Sequence, residues 1–393
     1  MWSPNKAWSN PAPAVEQIPV ADVDRAWDVV VIGAGPSGSI AAGLLGRSGA
    51  RTLLLEMDRF PREKCCGDGL TPDTVKFLQA IDAWPALQPH VFRHDTLKLR
   101  GAYGAELDAV MPVHSCRRAV TDAALAGWAV DGGARFVQGK AAGVTRLQDR
   151  RYRIDLFDRD EPLVARYVVL AGGCRTNLAI EYGLQEYRPS AMVALRGYVR
   201  TDRTIPFYIS LIDAVQPGYG WVFPLGNGLH NIGVGFALNG RKTPGMSLRQ
   251  AFGAFTSEDT IARSVTQNGE MVGARGTSWI RAGMPLSLEK ANGGLLAVGE
   301  AIAATTRIDG EGVGRAVLSG RVAAEILTEA LRVGNPDPAL RYRKALASAM
   351  EPSYRIWHGL SYVMEHSRLV DRLIRLYKGV GLPKLIRYLY RGM

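Results

Sequence analysis

The stretch DVVVIGAGPSGSIAAGLLGRSGARTLLLEMD, Asp28 to Asp58, decides the architecture. Val29–Ile32 is a run of β-branched residues, the composition of a strand buried on both faces of a parallel sheet. Gly33, Ala34, Gly35, Pro36, Ser37 and Gly38 follow at once with the spacing G-x-G-x-x-G, and Ser39–Leu45 reads as a helix of small residues. Thr52–Leu55 is a second strand, ended by Glu56 and Met57. In such a strand–turn–helix unit Gly33 makes the tight turn, Gly35 lets a pyrophosphate approach the backbone, and Gly38 lets the helix pack on the sheet. The helix start offers N–H groups to phosphate. Glu56 stands 18 residues after Gly38, where an acid binds ribose hydroxyls. A glycine-rich turn alone is common. With strand, helix and acid in place it predicts an α/β fold with a dinucleotide site, and leaves NAD and FAD open.

Composition sets the frame around that unit. A chain of 393 residues suits about two domains with ample core. The 44 glycines favour a turn-rich α/β or α+β enzyme over a helical bundle. The four cysteines, at 65, 66, 116 and 174, form no CxxC pair, which argues against a zinc site or a disulfide framework and fits a reducing cytoplasm. Residues 1–25 are polar and Pro-containing, without the apolar stretch of a secretory signal, and are expected to form a loose arm. There is no apolar run long enough to span a membrane. The net charge of +11 is uneven: His366–Met393 carries seven Lys/Arg (Arg368, Arg372, Arg375, Lys378, Lys384, Arg387, Arg391) against one acid, Asp371. No nucleic-acid motif accompanies it, so no nucleic-acid partner is expected.

FPREKCCGDGLTP, Phe60 to Pro72, follows the second strand. Neighbouring cysteines close only a strained ring, and no metal-ligand set surrounds them. On the residues alone, Cys66 reads equally as a small packing residue and as a participant in chemistry. The segment resembles a loop of the geranylgeranyl reductase family, FAD enzymes with the para-hydroxybenzoate hydroxylase type of fold. Arg62, Lys64, Cys66, Gly67, Asp68 and Gly69 fall on the family pattern, and Cys65 on a variable position. The resemblance implies a loop bordering the isoalloxazine ring.

The resemblance runs from about Asp28 to Leu331. Arg118 and Asp122, in HSCRRAVTDAAL, match an R-x-x-F-D segment whose arginine lies over the FAD, where a guanidinium suits phosphate. Ala171-Gly172-Gly173 stands where the family carries A-D-G, so the acid is lost at Gly172. QPGYGWVFPLGNGLHNIGVG, Gln216 to Gly235, matches P-G-Y-G-W-V-F-P with N-x-G-x-G, part of the substrate cavity in the family. Tyr219, Trp221 and Phe223 alternate and share one face of a strand. Taken alone they read as sheet core; with the resemblance they read as a substrate wall. Gly299-Glu300 replaces the Gly-Asp that binds the ribityl chain. Gly310, Gly312 and Val313 open a helix aimed at the flavin N1/O2 edge, where its positive end stabilises anionic reduced flavin. Thr305–Asp309 departs from the family lead-in, and Arg307 and Asp309 read either as substrate contacts or as a surface ion pair.

The resemblance implies a Rossmann-like FAD-binding domain (26–80, 105–180 and 276–330) interleaved with a mixed β-sheet substrate domain (81–104 and 181–275), followed by C-terminal helices (331–393). It implies reduction of C=C bonds in an isoprenoid or other apolar natural product by hydride from reduced FAD, with Cys66 or Tyr219 handling the proton. A monooxygenase of the same fold acting through a C4a-hydroperoxide, or FAD kept as a non-redox scaffold, are the alternatives. The W-x-W-x-I-P signature of flavin halogenases is absent. No second GxGxxG has strand–helix context, so the electron donor is open between NAD(P)H and a reductase or ferredoxin. The C-terminal basic helices read as packed on the body, as a lid, or as a peripheral membrane contact.

Overall fold

The computed structural model describes residues 11–157, 159–175, 177–184, 191–238, 245–283, 293–307, 310–364 and 366–377. Side chains of 214, 351–362, 364 and 377 are outside that description. Residues 1–10 of the expected arm, Asp309, and the second basic helix with Lys384, Arg387 and Arg391 also lie outside the described residues.

The run Asp28–Asp58 folds as its pattern dictates. Ala26–Ile32 is a strand, Pro36–Arg47 a helix with proline in its first turn, and Thr52–Glu56 a parallel strand with Ile32 opposite Leu55. Val29, Val30 and Val31 are fully buried, because helices cover both faces of this sheet. Leu163–Leu170 lies on the other side of Ala26–Ile32, in parallel, and Leu295–Ala297 pairs with Leu163–Leu170 in parallel. Four parallel strands therefore end along one edge, at Ile32, Glu56, Leu170 and Ala297. The loops that leave them carry Gly33, Met57, Gly172 and Gly299. Ligands of open α/β sheets bind at such an edge. Arg135–Gln138 extends the sheet beyond Thr52–Glu56, and the meander Ala141–Arg146 and Tyr152–Leu156 extends it beyond Leu163–Leu170.

A second sheet runs in the order Glu270–Ile280, Met192–Arg200, Leu229–Ala237, Gly218–Pro224, Phe207–Ser210, Phe92–Arg100, Glu106–Ser115 and Gly69–Leu70. One face is covered by the helices Leu248–Glu258 and Thr260–Gln267, whose Phe252, Phe255, Ala262 and Val265 bury Val222, Ile232 and Val234. The opposite face carries Phe207, Trp221, Phe223 and Ala194, and looks toward the cysteine loop.

Three segments expected in the FAD-binding part join the second sheet, Gly69–Leu70 among them. Glu106–Ser115, assigned with the FAD-binding part, is a strand of the second sheet, paired with Phe92–Arg100 along its length. Residues 276–280 belong there too, as the end of Glu270–Ile280. A strand takes its sheet from its hydrogen-bonded partner, and these partners are in the second sheet. Beyond the long helix Val313–Val333, Ala339–Met364 and Ser367–Tyr377 complete the described chain. Ser367–Tyr377 packs on the body through Val370 and Ile374, while Arg368, Arg372 and Arg375 face outward. No helix among the described residues is long and apolar enough to cross a membrane.

Candidate functional site

The glycine turn divides its labour by geometry. Gly33 has φ +107, and a side chain there would strike the Ala171 carbonyl; at Gly38 it would strike the Gly33 carbonyl. Both are packing positions. Gly35 differs: around the point a Cβ would occupy there is only the Arg118 Nη2, 3.9 Å away. The backbone at Gly35 thus fronts an open space edged by a guanidinium, and no side chain caps the helix that starts at Pro36. Ala34 N donates to Glu56 Oε2 at 2.9 Å and Asp58 N to Glu56 Oε1 at 3.1 Å, so the acid is held at the strand end beside the turn. Ser37 is buried beneath Gly299. Met57 is half-exposed at the rim, with Arg175 Nη1 against its sulfur at 2.8 Å.

A buried ionic network joins this turn to the cysteine loop. Arg118 grips Asp122 with two hydrogen bonds of 2.8 Å, from Nε and Nη2. Arg62 Nη1 reaches the same carboxylate at 2.9 Å, and Arg62 Nη2 reaches Glu56 at 3.5 Å. Burial is the largest single influence on Arg118 and opposes its charge, but its neighbours, Asp122 first among them, together raise the guanidinium above its ordinary value. Burial likewise pushes Asp122 up, and Arg118 and Arg62 more than cancel it, holding the acid below the usual carboxylate range. The Cys66 side chain lies within electrostatic reach of the Arg118 guanidinium. Asp122, which the sequence offers only as a motif partner, is the hub of both arginines.

The two neighbouring cysteines part company. Cys66 turns to Arg118. Cys65 turns to the second sheet, where a Cβ on Gly276 would lie 3.4 Å from its sulfur, and burial raises its pKa to about 11. All four cysteines are free thiols. Gly67 and Gly69 lie against aromatic rings. Their missing side chains would lie 3.4 Å from Phe223 and 3.2 Å from Phe207, respectively.

Lys64 Nζ pairs with Glu300 Oε2 at 3.3 Å, and Glu300 Oε1 accepts from Arg281 N at 3.2 Å. A Cβ on Gly173 would be 3.3 Å from Lys64 Nζ and 3.8 Å from Glu300. An acid–base pair therefore fills the space next to Gly172, where the family acid is missing. Gly310 has φ +65, and the Tyr219 hydroxyl lies 3.3 Å from its would-be Cβ. Gly312 caps the helix that begins at Val313. Glu311 Oε1 accepts from Gly314 N at 2.5 Å and from Thr74 at 3.2 Å, so a carboxylate already rests on that helix start. Arg307 is exposed and packs on Gly283.

The aromatic strand has two functions in space. Trp221 and Phe223 are buried beneath the cysteine loop; Phe223 stacks on Phe207 with centroids 3.8 Å apart. Trp221 lies over Gly233, where a Cβ would collide with its ring. Tyr219 alone reaches the Gly310 loop. It also packs into a separate apolar cluster of Leu99, Leu107, Leu211, Val370 and Ile374. The residues that sequence reasoning passed over are Tyr198 and Asn231, which hold Asp68 (below). Asn231 opens the N-x-G-x-G motif, the one signal that pointed to it.

The turn, the acid and the paired arginines fit a dinucleotide whose pyrophosphate meets Gly35 and Arg118. Residues 26–204 match the family described as FAD binding domain, and FAD is the cofactor of this chain. The chain is 33% identical over 334 residues to menaquinone reductase of Mycobacterium tuberculosis, covering 78% of this chain and 77% of that protein. It is 27% identical over 343 residues to digeranylgeranylglycerophospholipid reductase 1 of Methanopyrus kandleri, covering 84% and 87%. The crystal structure of a geranylgeranyl bacteriochlorophyll reductase-like protein from Thermoplasma acidophilum shares the fold, with a TM-score of 0.79 at 22% identity over 94% of this chain and 95% of that one. The Cys-Gly-Asp-Gly loop, the aromatic strand and these relatives agree: the chain belongs to the geranylgeranyl reductase family of FAD-dependent oxidoreductases.

Proposed function

We propose that the protein saturates C=C bonds in an isoprenoid chain carried by a polar head, the substrate type named for its quinone and glycerophospholipid relatives. The observation that carries this reading is the position of Tyr219. Its hydroxyl stands at the Gly310 loop, and its ring joins the apolar surface of Trp221 and Phe223 to that of Leu99, Leu211, Val370 and Ile374. Apolar side chains in unbroken contact from Tyr219 to these neighbours suit a wall for a long hydrocarbon chain.

FAD, when bound and reduced, would supply hydride chemistry at one alkene carbon. The chain's residues do the rest. Gly35, the start of the Pro36 helix and Arg118 would hold the pyrophosphate, Glu56 the ribose hydroxyls and Glu300, beside Lys64, the ribityl chain. Tyr219 or Cys66 delivers the proton to the other alkene carbon; Arg118 beside Cys66 keeps the sulfur oriented. The reducing equivalents would come from NAD(P)H or from a reductase or ferredoxin. A lipid substrate places the enzyme at a membrane surface, and Ser367–Tyr377 presents Leu369 and Leu376 there beside Arg368 and Arg372.

The test is anaerobic incubation of the FAD-loaded, dithionite-reduced protein with a geranylgeranyl ether lipid, followed by mass spectrometry. A product heavier by two hydrogens per reduced bond supports the reading. Unchanged lipid, together with an oxygenated product once air is admitted, assigns the site to monooxygenation instead. Replacing Tyr219 by Phe and Cys66 by Ser separates the proton donors: the variant that slows product formation while flavin still binds identifies the group.

A further inference from the structure

We infer that Asp68 is the positioning residue of the cysteine loop: its buried carboxylate fixes Cys66 and the start of the Arg118 helix in one geometry toward the cofactor. The inference deepens the proposed function and rests on it for the cofactor's place. Asp68 has φ +63, a left-handed conformation that side chains other than glycine adopt only under constraint. It is 1% exposed. Its Oδ1 accepts from Arg118 N at 3.1 Å, and its backbone carbonyl from Cys116 N at 2.9 Å. Its Oδ2 accepts from the Tyr198 hydroxyl at 2.7 Å and from Asn231 Nδ2 at 2.8 Å. The same Asn231 nitrogen donates to the Cys66 carbonyl at 2.8 Å.

The amide orientation is not arbitrary. Trp221 Nε1 is a donor only and lies 2.9 Å from Asn231 Oδ1, so the Asn231 nitrogen must face the loop. One carboxylate therefore ties together the loop, the strands Met192–Arg200 and Leu229–Ala237, and the helix Arg118–Asp131. That helix carries Arg118 and Asp122, which meet Cys66 and the turn. The charged and titratable groups around Asp68 are Tyr198, Arg196, Glu63, Cys65, Cys66, Cys116 and Arg118. Trp221 thus acts through Asn231 on the cysteine loop, in addition to any substrate it lines.

The test uses the full chain and does not depend on turnover. Iodoacetamide labelling at fixed pH, read by mass spectrometry, gives the rate at Cys65 and Cys66 relative to Cys174, which lies outside the network. Asp68→Asn is expected to raise the Cys66 rate about tenfold and Tyr198→Phe severalfold, with Cys174 unchanged. Both variants, loaded with FAD, are expected to shift the flavin midpoint potential. Unchanged Cys66 labelling in Tyr198→Phe overturns the inference even where Asp68→Asn does not fold. Unchanged potential with altered labelling overturns the part that concerns the cofactor. A wild-type protein that takes up no FAD sinks the functional reading, and the labelling ratio then still decides whether Asp68 holds the loop.

Discussion

Glu56 and Arg118 carry the proposed cofactor contacts. Glu56 reaches the site from a strand end, already gripped by Ala34 N and Arg62. Glu56→Gln loses charge where ribose hydroxyls donate, and is expected to weaken FAD binding at least about tenfold, measured by quenching of flavin fluorescence. Arg118→Met leaves Asp122 with Arg62 alone in a buried setting. Urea denaturation is expected to show a loss of ~3 kcal/mol, whereas a loss under ~1 kcal/mol would mean that Arg62 compensates. Asp68 makes a pH prediction. Burial lifts its pKa to about 6, so its contribution to stability is full below the ordinary carboxylate value and is lost as pH rises through about 6. Between pH 7 and pH 5 the wild type should gain about 1 kcal/mol relative to Asp68→Asn in paired denaturation curves. Parallel curves across that window would contradict the raised Asp68 value.

At the scale of elements, the described C-terminal helix is fastened rather than loose. Asp371 is 3% exposed; its carboxylate accepts from Tyr103 N at 2.9 Å and Ala105 N at 3.2 Å, and Arg375 bonds the Tyr103 carbonyl at 2.9 Å. Gly101 is required there because a side chain would meet the Asp371 carboxylate. One face of Ser367–Tyr377 packs on the body and the other is open to solvent. Asp371→Ala should cost about 1–3 kcal/mol and speed amide exchange locally, at 101–105 and 367–377, while Ala26–Ile32 keeps its protection. Exchange that rises equally in Ala26–Ile32 would show that the helix is part of the global cooperative unit.

The whole molecule shows which features a sequence can carry. The Gly33–Glu56 unit is legible because strand, turn, helix and acid lie within one short run and each obeys a local period. The parallel strands Leu163–Leu170 and Leu295–Ala297 are legible as continuous apolar runs between glycines. The hairpin Phe92–Ser115 is not, since its sheet is chosen by pairing with Phe207–Ser210, more than a hundred residues later. The hold on Asp68 spans 130 residues to Tyr198 and 163 to Asn231, and no local pattern announces it. The rings that lie against Gly67 and Gly69 come from strands more than a hundred residues later. The three aromatics of Gly218–Pro224 looked alike in sequence; only the fold separates Tyr219, at the Gly310 loop, from Trp221 and Phe223, beneath the cysteine loop.

The measurement closest to the central claim is reoxidation of the reduced, FAD-loaded protein in the stopped-flow instrument, without oxygen, on mixing with a geranylgeranyl ether lipid, which has no quinone to take electrons. The account predicts that the oxidised flavin band returns with the unsaturated lipid and stays absent with its fully saturated counterpart. Return of the band only when oxygen is admitted, at a rate that the lipid accelerates, would contradict it and identify the protein as an oxygen-using member of the fold.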